Sequence, residues 1–83
     1  MKNFTIYDRQ TNEHFGDFDW TDDENFTIYT KNGEYKYFGT KNDDTIYIYQ
    51  KDKINQGPIY FGTINTDTIW LYDYNRNAIF YCV

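Results

Sequence analysis

Residues 26–39, Phe26-Thr27-Ile28-Tyr29-Thr30-Lys31-Asn32-Gly33-Glu34-Tyr35-Lys36-Tyr37-Phe38-Gly39, read as two strands folded about a turn. Phe26 and Ile28 alternate with Thr27 and Tyr29, the two-residue period of a sheet with unlike faces. Asn32-Gly33 is the strongest short hairpin signal, because a two-residue type I′ turn needs positive φ at both positions. That turn predicts Lys31 opposite Glu34, Tyr29 opposite Lys36, Ile28 opposite Tyr37 and Phe26 opposite Gly39.

The same unit recurs along the chain. Phe-Gly stands at Phe15-Gly16, Phe38-Gly39 and Phe61-Gly62, at intervals of 23 residues. Four alternating segments occur, at Phe4-Thr5-Ile6-Tyr7, Phe26-Thr27-Ile28-Tyr29, Ile46-Tyr47-Ile48-Tyr49 and Ile69-Trp70-Leu71-Tyr72. They are rich in β-branched and aromatic residues, and no stretch carries a helical period. The spacing predicts one all-β domain over residues 1–83: eight short antiparallel strands as a four-hairpin meander, either a curled sheet or a small up-and-down barrel. Further two-residue turns are expected at Asn42-Asp43, Asn65-Thr66 and Asn75-Arg76. They would set Gly39 against Ile46, Gly62 against Ile69, and Leu71 against Phe80. Longer loops are expected at Arg9 to Thr11 and at Lys51 to Gly57, with Pro58 opening a strand.

Two faces follow from this register. Phe4, Ile6, Gly16, Phe26, Ile28, Gly39, Ile46, Ile48, Gly62, Ile69, Leu71, Phe80 and Cys82 form an aliphatic face expected inside. Tyr7, Phe15, Tyr29, Phe38, Tyr47, Tyr49, Phe61, Trp70, Tyr72, Ile79 and Tyr81 form an aromatic face expected outside. With a single cysteine there is no internal disulfide, so ring packing must substitute for staples in a chain of 83 residues.

Net charge is −5. Residues 1–24 hold seven acids against two bases, while residues 25–83 hold six of each, so the imbalance sits in the first unit. Such a balance disfavours direct contact with nucleic acid, which needs a basic stripe, and favours a basic protein partner. Within that unit Asp17, Asp19, Asp22, Asp23 and Glu24 surround Trp20, an arrangement suited to an aromatic anchor framed by steering carboxylates. The run lacks the glycine and distal glutamate of a calcium loop, so no metal and no cofactor are expected.

The outer rings suggest another use. Rows containing Tyr29, Tyr47, Tyr49, Trp70 and Tyr72 could stack on sugars or quaternary cations, or mediate self-association. Here Tyr35-Lys36-Tyr37-Phe38-Gly39 resembles the choline-binding and glucan-binding hairpin repeats of bacterial surface proteins, without their Gly-Trp opening or Trp-Tyr-Tyr-Phe core. The resemblance is one of architecture and transfers no binding residues.

Catalysis is poorly provisioned. There is no serine, His14 is the only histidine, and a nucleophile pair would require His14 to meet Cys82. No run of about 18 or more apolar residues predicts a membrane span. The expectation is a cytoplasmic, non-enzymatic binding module, a small acidic inhibitor or cap of the kind carried by phages and mobile elements. Alternatives are a carbohydrate- or cation-binding hairpin repeat, or a homo-oligomer formed through the aromatic face or a sheet edge.

Overall fold

The computed structural model describes residues 3–83. Eight strands follow one another: β1 Phe4–Asp8, β2 His14–Trp20, β3 Asn25–Thr30, β4 Tyr35–Asn42, β5 Thr45–Gln50, β6 Tyr60–Asn65, β7 Thr68–Tyr72 and β8 Ala78–Cys82. A single 3-10 turn, Ile54–Gln56, interrupts the β5–β6 loop. Each strand pairs antiparallel with the next, and β8 returns to β1 through Ile6↔Cys82 and Tyr7↔Tyr81, closing a barrel. Val83, just past β8, exchanges backbone hydrogen bonds of 2.9 and 3.0 Å with Thr5 of β1. Of the two expected forms, the chain adopts the closed barrel. Closure leaves no unpaired strand among the described residues, so self-association through a sheet edge has no edge to use.

Every residue assigned to the aliphatic face is buried. Burial of each large apolar side chain contributes about 1.5–3 kcal/mol. Two aromatic residues outside that set join it, Phe18 and Tyr37. Phe18 lies flat on Phe26, ring centroids 4.0 Å apart, and meets Phe4 edge-on at 5.9 Å. Gly16 is needed because a Cβ there would strike the backbone carbonyl of Tyr29 on the neighbouring strand.

The turns differ from expectation in an instructive way. Of Asn32 and Gly33, only Gly33 takes positive φ, at 84°. Thr30 N–H donates to the Glu34 carbonyl and Gly33 N–H to that of Thr30, so the loop is the three-residue Lys31-Asn32-Gly33. Tyr29 therefore faces Tyr35, and Lys36 is the extra residue of a bulge that restores Ile28↔Tyr37 and Phe26↔Gly39. The β7–β8 loop repeats this design, with Arg76 in the positive-φ position and Ile79 as the extra residue. In the β1–β2 hairpin, Asn12 takes that role and Phe15 is extra. These bulges carry Phe15 and Ile79 off the outer face and against the core, where Phe15 meets Phe80 at 4.3 Å.

Elsewhere the register slides by two residues. The turns are Asp43-Asp44 and Thr66-Asp67, so Gly39 faces Ile48 and Gly62 faces Leu71. An even slide keeps every side chain on its assigned face. Pro58 lies outside β6, and Ile59 N–H makes the first bond to β5, to the Ile48 carbonyl at 2.7 Å.

Candidate functional site

In an up-and-down meander alternate loops lie at opposite ends of the barrel, and this sorts the charges. The β2–β3, β4–β5 and β6–β7 connections share one end. Together with the strand ends that feed them they carry Asp19, Asp22, Asp23, Glu24, Asp43, Asp44 and Asp67, with Lys41 as the only base among the described residues. The opposite end carries five acids, Asp8, Glu13, Glu34, Asp52 and Asp73, against six bases, Arg9, Lys31, Lys36, Lys51, Lys53 and Arg76. Asp17 lies on the barrel wall between them. The division by first unit is thus replaced by a division by end: Asp8 and Glu13 leave the acidic cluster, and Asp43, Asp44 and Asp67 enter it. Strand order alone could have revealed this, since even-numbered hairpin connections must fall together.

The β2–β3 turn is built on Asp22. Its carboxylate accepts the backbone N–H of Glu24 at 2.8 Å and of Asn25 at 2.9 Å, and the Asn25 side-chain amide at 3.0 Å. Those donors, the Glu24 N–H foremost, hold its pKa below the usual carboxylate value. Asp22 therefore shapes the loop, while Asp23 and Glu24 are left exposed to water. Among the described residues the carboxylates of Asp19, Asp23, Glu24, Asp43, Asp44 and Asp67 make no hydrogen bond or ion pair within the chain. No three of the described acids, histidines or cysteines converge well enough to hold a metal ion. Apart from Asp22, the rim is thus a field of separated negative charges with its hydrogen-bonding capacity unspent.

Trp20 does not stand out as an anchor. Its ring is half-buried and packs edge-on against Phe18 at 5.2 Å and Phe26 at 5.4 Å, stopping the acidic end of the barrel. Its indole N–H is buried without a partner among the described residues. Asp17 turns to His14, 3.4 Å away, and Asp19 lies opposite Thr27 on the outer wall.

Barrel closure also divides the aromatic face. Tyr29, on β3, tilts against Tyr35 at 5.8 Å. Tyr49 stacks on Phe38 at 5.2 Å, and Tyr47 meets Phe61 edge-on at 5.9 Å. Trp70 leads a row through Tyr81 to Tyr7 and His14, crossing the β8–β1 seam. Tyr72 faces Phe61 across β6 and β7. The five rings named in the sequence therefore lie on β3, β5 and β7, around the circumference, rather than on one platform. Each is half-buried against a cross-strand neighbour, an arrangement that stabilises the sheet itself.

The two remaining chemical candidates are kept apart. Cys82 points into the core with no exposed surface, and burial pushes its thiol pKa up to about 12, so it stays protonated. His14 lies on the outer wall of β2, on the other side of the sheet. No family model, curated protein or solved structure matches the chain.

Proposed function

We propose that the chain is a non-enzymatic binding module that seats its acidic rim on a basic surface of another macromolecule, so inhibiting or capping it. The observation that carries this reading is the segregation of charge between the two ends of the barrel. A net charge of −5 spread evenly would serve solubility alone. Concentrated on three adjacent loops, with carboxylates that form no ion pair among the described residues, it forms a directional field that steers a cationic partner and fixes how it docks. The loops are short and anchored in a closed sheet, so little ordering cost accompanies binding.

The test compares two triple variants of equal net charge, with a lysine-rich peptide as probe. Asp23→Lys, Asp44→Lys and Asp67→Lys change the acidic rim; Glu13→Lys, Glu34→Lys and Asp52→Lys change the other end. Fluorescence anisotropy at low and at near-physiological salt reads the affinity. The rim variant should lose binding and its salt dependence, while the other should keep most of both. Equal losses would mean that net charge, not a site, attracts the peptide, and would defeat the proposal.

A further inference from the structure

All four loops at the end opposite the acidic rim contain a residue with positive φ: Asn12 at 61°, Gly33 at 84°, Gly57 at 79° and Arg76 at 63°. Asparagine and glycine reach this region readily, whereas a long side chain does so under strain. Arg76 is the one long side chain in that conformation among the described residues. Strain held where a glycine would be easier suggests that the side chain is kept for what it does.

Arg76 stands beside a surface groove of about 540 Å³, lined also by Phe61, Thr63, Tyr72, Asp73 and Tyr74. Tyr74 is 64% exposed, an unusual position for a large ring. It is nevertheless held, because its hydroxyl donates to the Pro58 carbonyl and its ring meets Phe61 edge-on at 5.2 Å. The ring thus forms a standing wall in water. Asp73 is occupied with the loop, accepting the N–H groups of Asn75 at 2.9 Å and Asn77 at 3.0 Å. Arg76 makes no ion pair among the described residues. The groove accordingly offers aromatic walls, the hydroxyls of Thr63 and Tyr72, and one uncommitted cation.

We infer that this groove binds an acidic sugar, a pyranose ring bearing a carboxylate. The C–H face of the sugar lies on the rings, its hydroxyls meet Thr63 and Tyr72, and its carboxylate takes the guanidinium fork. An anion is favoured because Arg76 makes no ion pair among the described residues, whereas the carboxylate of Asp73 in the same lining is engaged by the loop's N–H groups. A polyhydroxylated ring is favoured over a flat aromatic acid because two hydroxyl-bearing residues, Thr63 and Tyr72, line the groove beside the rings. This site is separate from the acidic rim and does not depend on it.

Calorimetric titration of the intact chain with oligogalacturonate, a neutral oligogalactoside and benzoate tests the assignment. Oligogalacturonate should bind, with the neutral sugar and benzoate at least about tenfold weaker, the scale expected when a charged hydrogen bond or the hydroxyl contacts are missing. Arg76→Gly should abolish the preference for the acidic sugar while leaving the thermal midpoint equal or higher, since glycine relaxes the loop. Tyr74→Ala should weaken both sugars alike. Arg76→Asn, which also tolerates positive φ, provides a second folded variant should the glycine variant unfold. Absence of oligogalacturonate binding, equal binding of the neutral sugar, tighter binding of benzoate, or undiminished preference without Arg76 would each overturn it.

Discussion

Phe26 lies across Gly39: the two residues face each other on β3 and β4, and a Cβ at position 39 would collide with the edge of the Phe26 ring. The Phe-Gly spacing visible in the sequence is therefore, at this unit, a packing relationship, in which one strand gives up a side chain so that a ring from the next can fill the barrel. Gly39→Val should destabilise the fold by about 2–3 kcal/mol or more, lowering the thermal midpoint by roughly 10–20 °C. Phe26→Ala should cost about 3–5 kcal/mol. Combined with Gly39→Ala it should cost less than the sum of the single changes by about 1 kcal/mol, since the new methyl enters vacated space. Relief is partial because the Tyr47 carbonyl also stands against that Cβ. Strict additivity in chemical denaturation would contradict the pairing.

Cys82 fixes an alkaline limit to stability. Its thiol titrates near 9.0 when unfolded and at about 12 when folded, with burial as the cause. A group whose folded pKa is raised contributes stability fully present below the unfolded value and lost as pH rises through the folded one. Stability should therefore fall between about pH 9 and pH 12, by up to about 4 kcal/mol. Tyr37 and Tyr60, whose pKa values are also raised by burial, act in the same direction above about pH 10. Cys82→Val should flatten the first part of this decline in urea titrations. A thiol reagent at neutral pH should modify Cys82 only at the rate of unfolding.

At the acidic end, Asp22 and Asp23 should behave oppositely despite being neighbours. Asp22→Ala removes the acceptor that closes the β2–β3 turn and should lower stability. Asp23→Ala removes only a charge from a repulsive rim and should leave stability equal or raise it. Because the Asp22 pKa is lowered in the folded state, its contribution is present above the unfolded value of about 3.8 and disappears as pH falls through the folded one. Thermal denaturation of the two variants at neutral pH and near pH 3 reads both effects. Asp22→Ala should differ least from the parent in acid, and a difference that grows there would contradict the role given to this carboxylate.

Repulsion within the rim should also make the parent chain more stable as salt rises from low concentration to physiological strength. Asp43→Asn and Asp67→Asn together should raise the thermal midpoint at low salt and shrink that response. The Asp43→Asn change adds no backbone strain, because asparagine and aspartate both tolerate the positive φ of 54° at this position. A midpoint that is insensitive to salt would mean that the acids are too far apart to interact.

Strands and faces were legible in the sequence because alternation is a property of the chain itself. Ile46, Ile48, Ile69 and Leu71 face inward whichever turn precedes them, and register errors of two residues preserve that parity. The turns were less legible. Asn32-Gly33 is consistent with a two-residue loop, and only the Thr30–Glu34 hydrogen bond distinguishes the three-residue loop with its bulge at Lys36. The same bulges explain why Phe15 and Ile79 left the outer face, since an unpaired residue escapes the alternation. The placing of Trp20 was not legible because its charged neighbours in sequence are not its neighbours in space: alternation sends Asp19 outward, whereas the Trp20 ring folds over the end of the core. The acids regroup for a related reason: Asp8 and Asp22 are close in sequence but lie a strand length apart at opposite ends of the barrel, while Asp19, Asp22, Asp23 and Glu24 stay together.

The most direct measurement of the rim's role is a titration of isotopically labelled chain with a lysine-rich peptide, followed by backbone amide chemical shifts. Changes should be confined to residues 19–25, 42–45 and 65–68 and should be screened by added salt. Shifts centred on the loops around residues 9–13, 31–34 and 73–77, or spread evenly over both ends of the barrel, would contradict it.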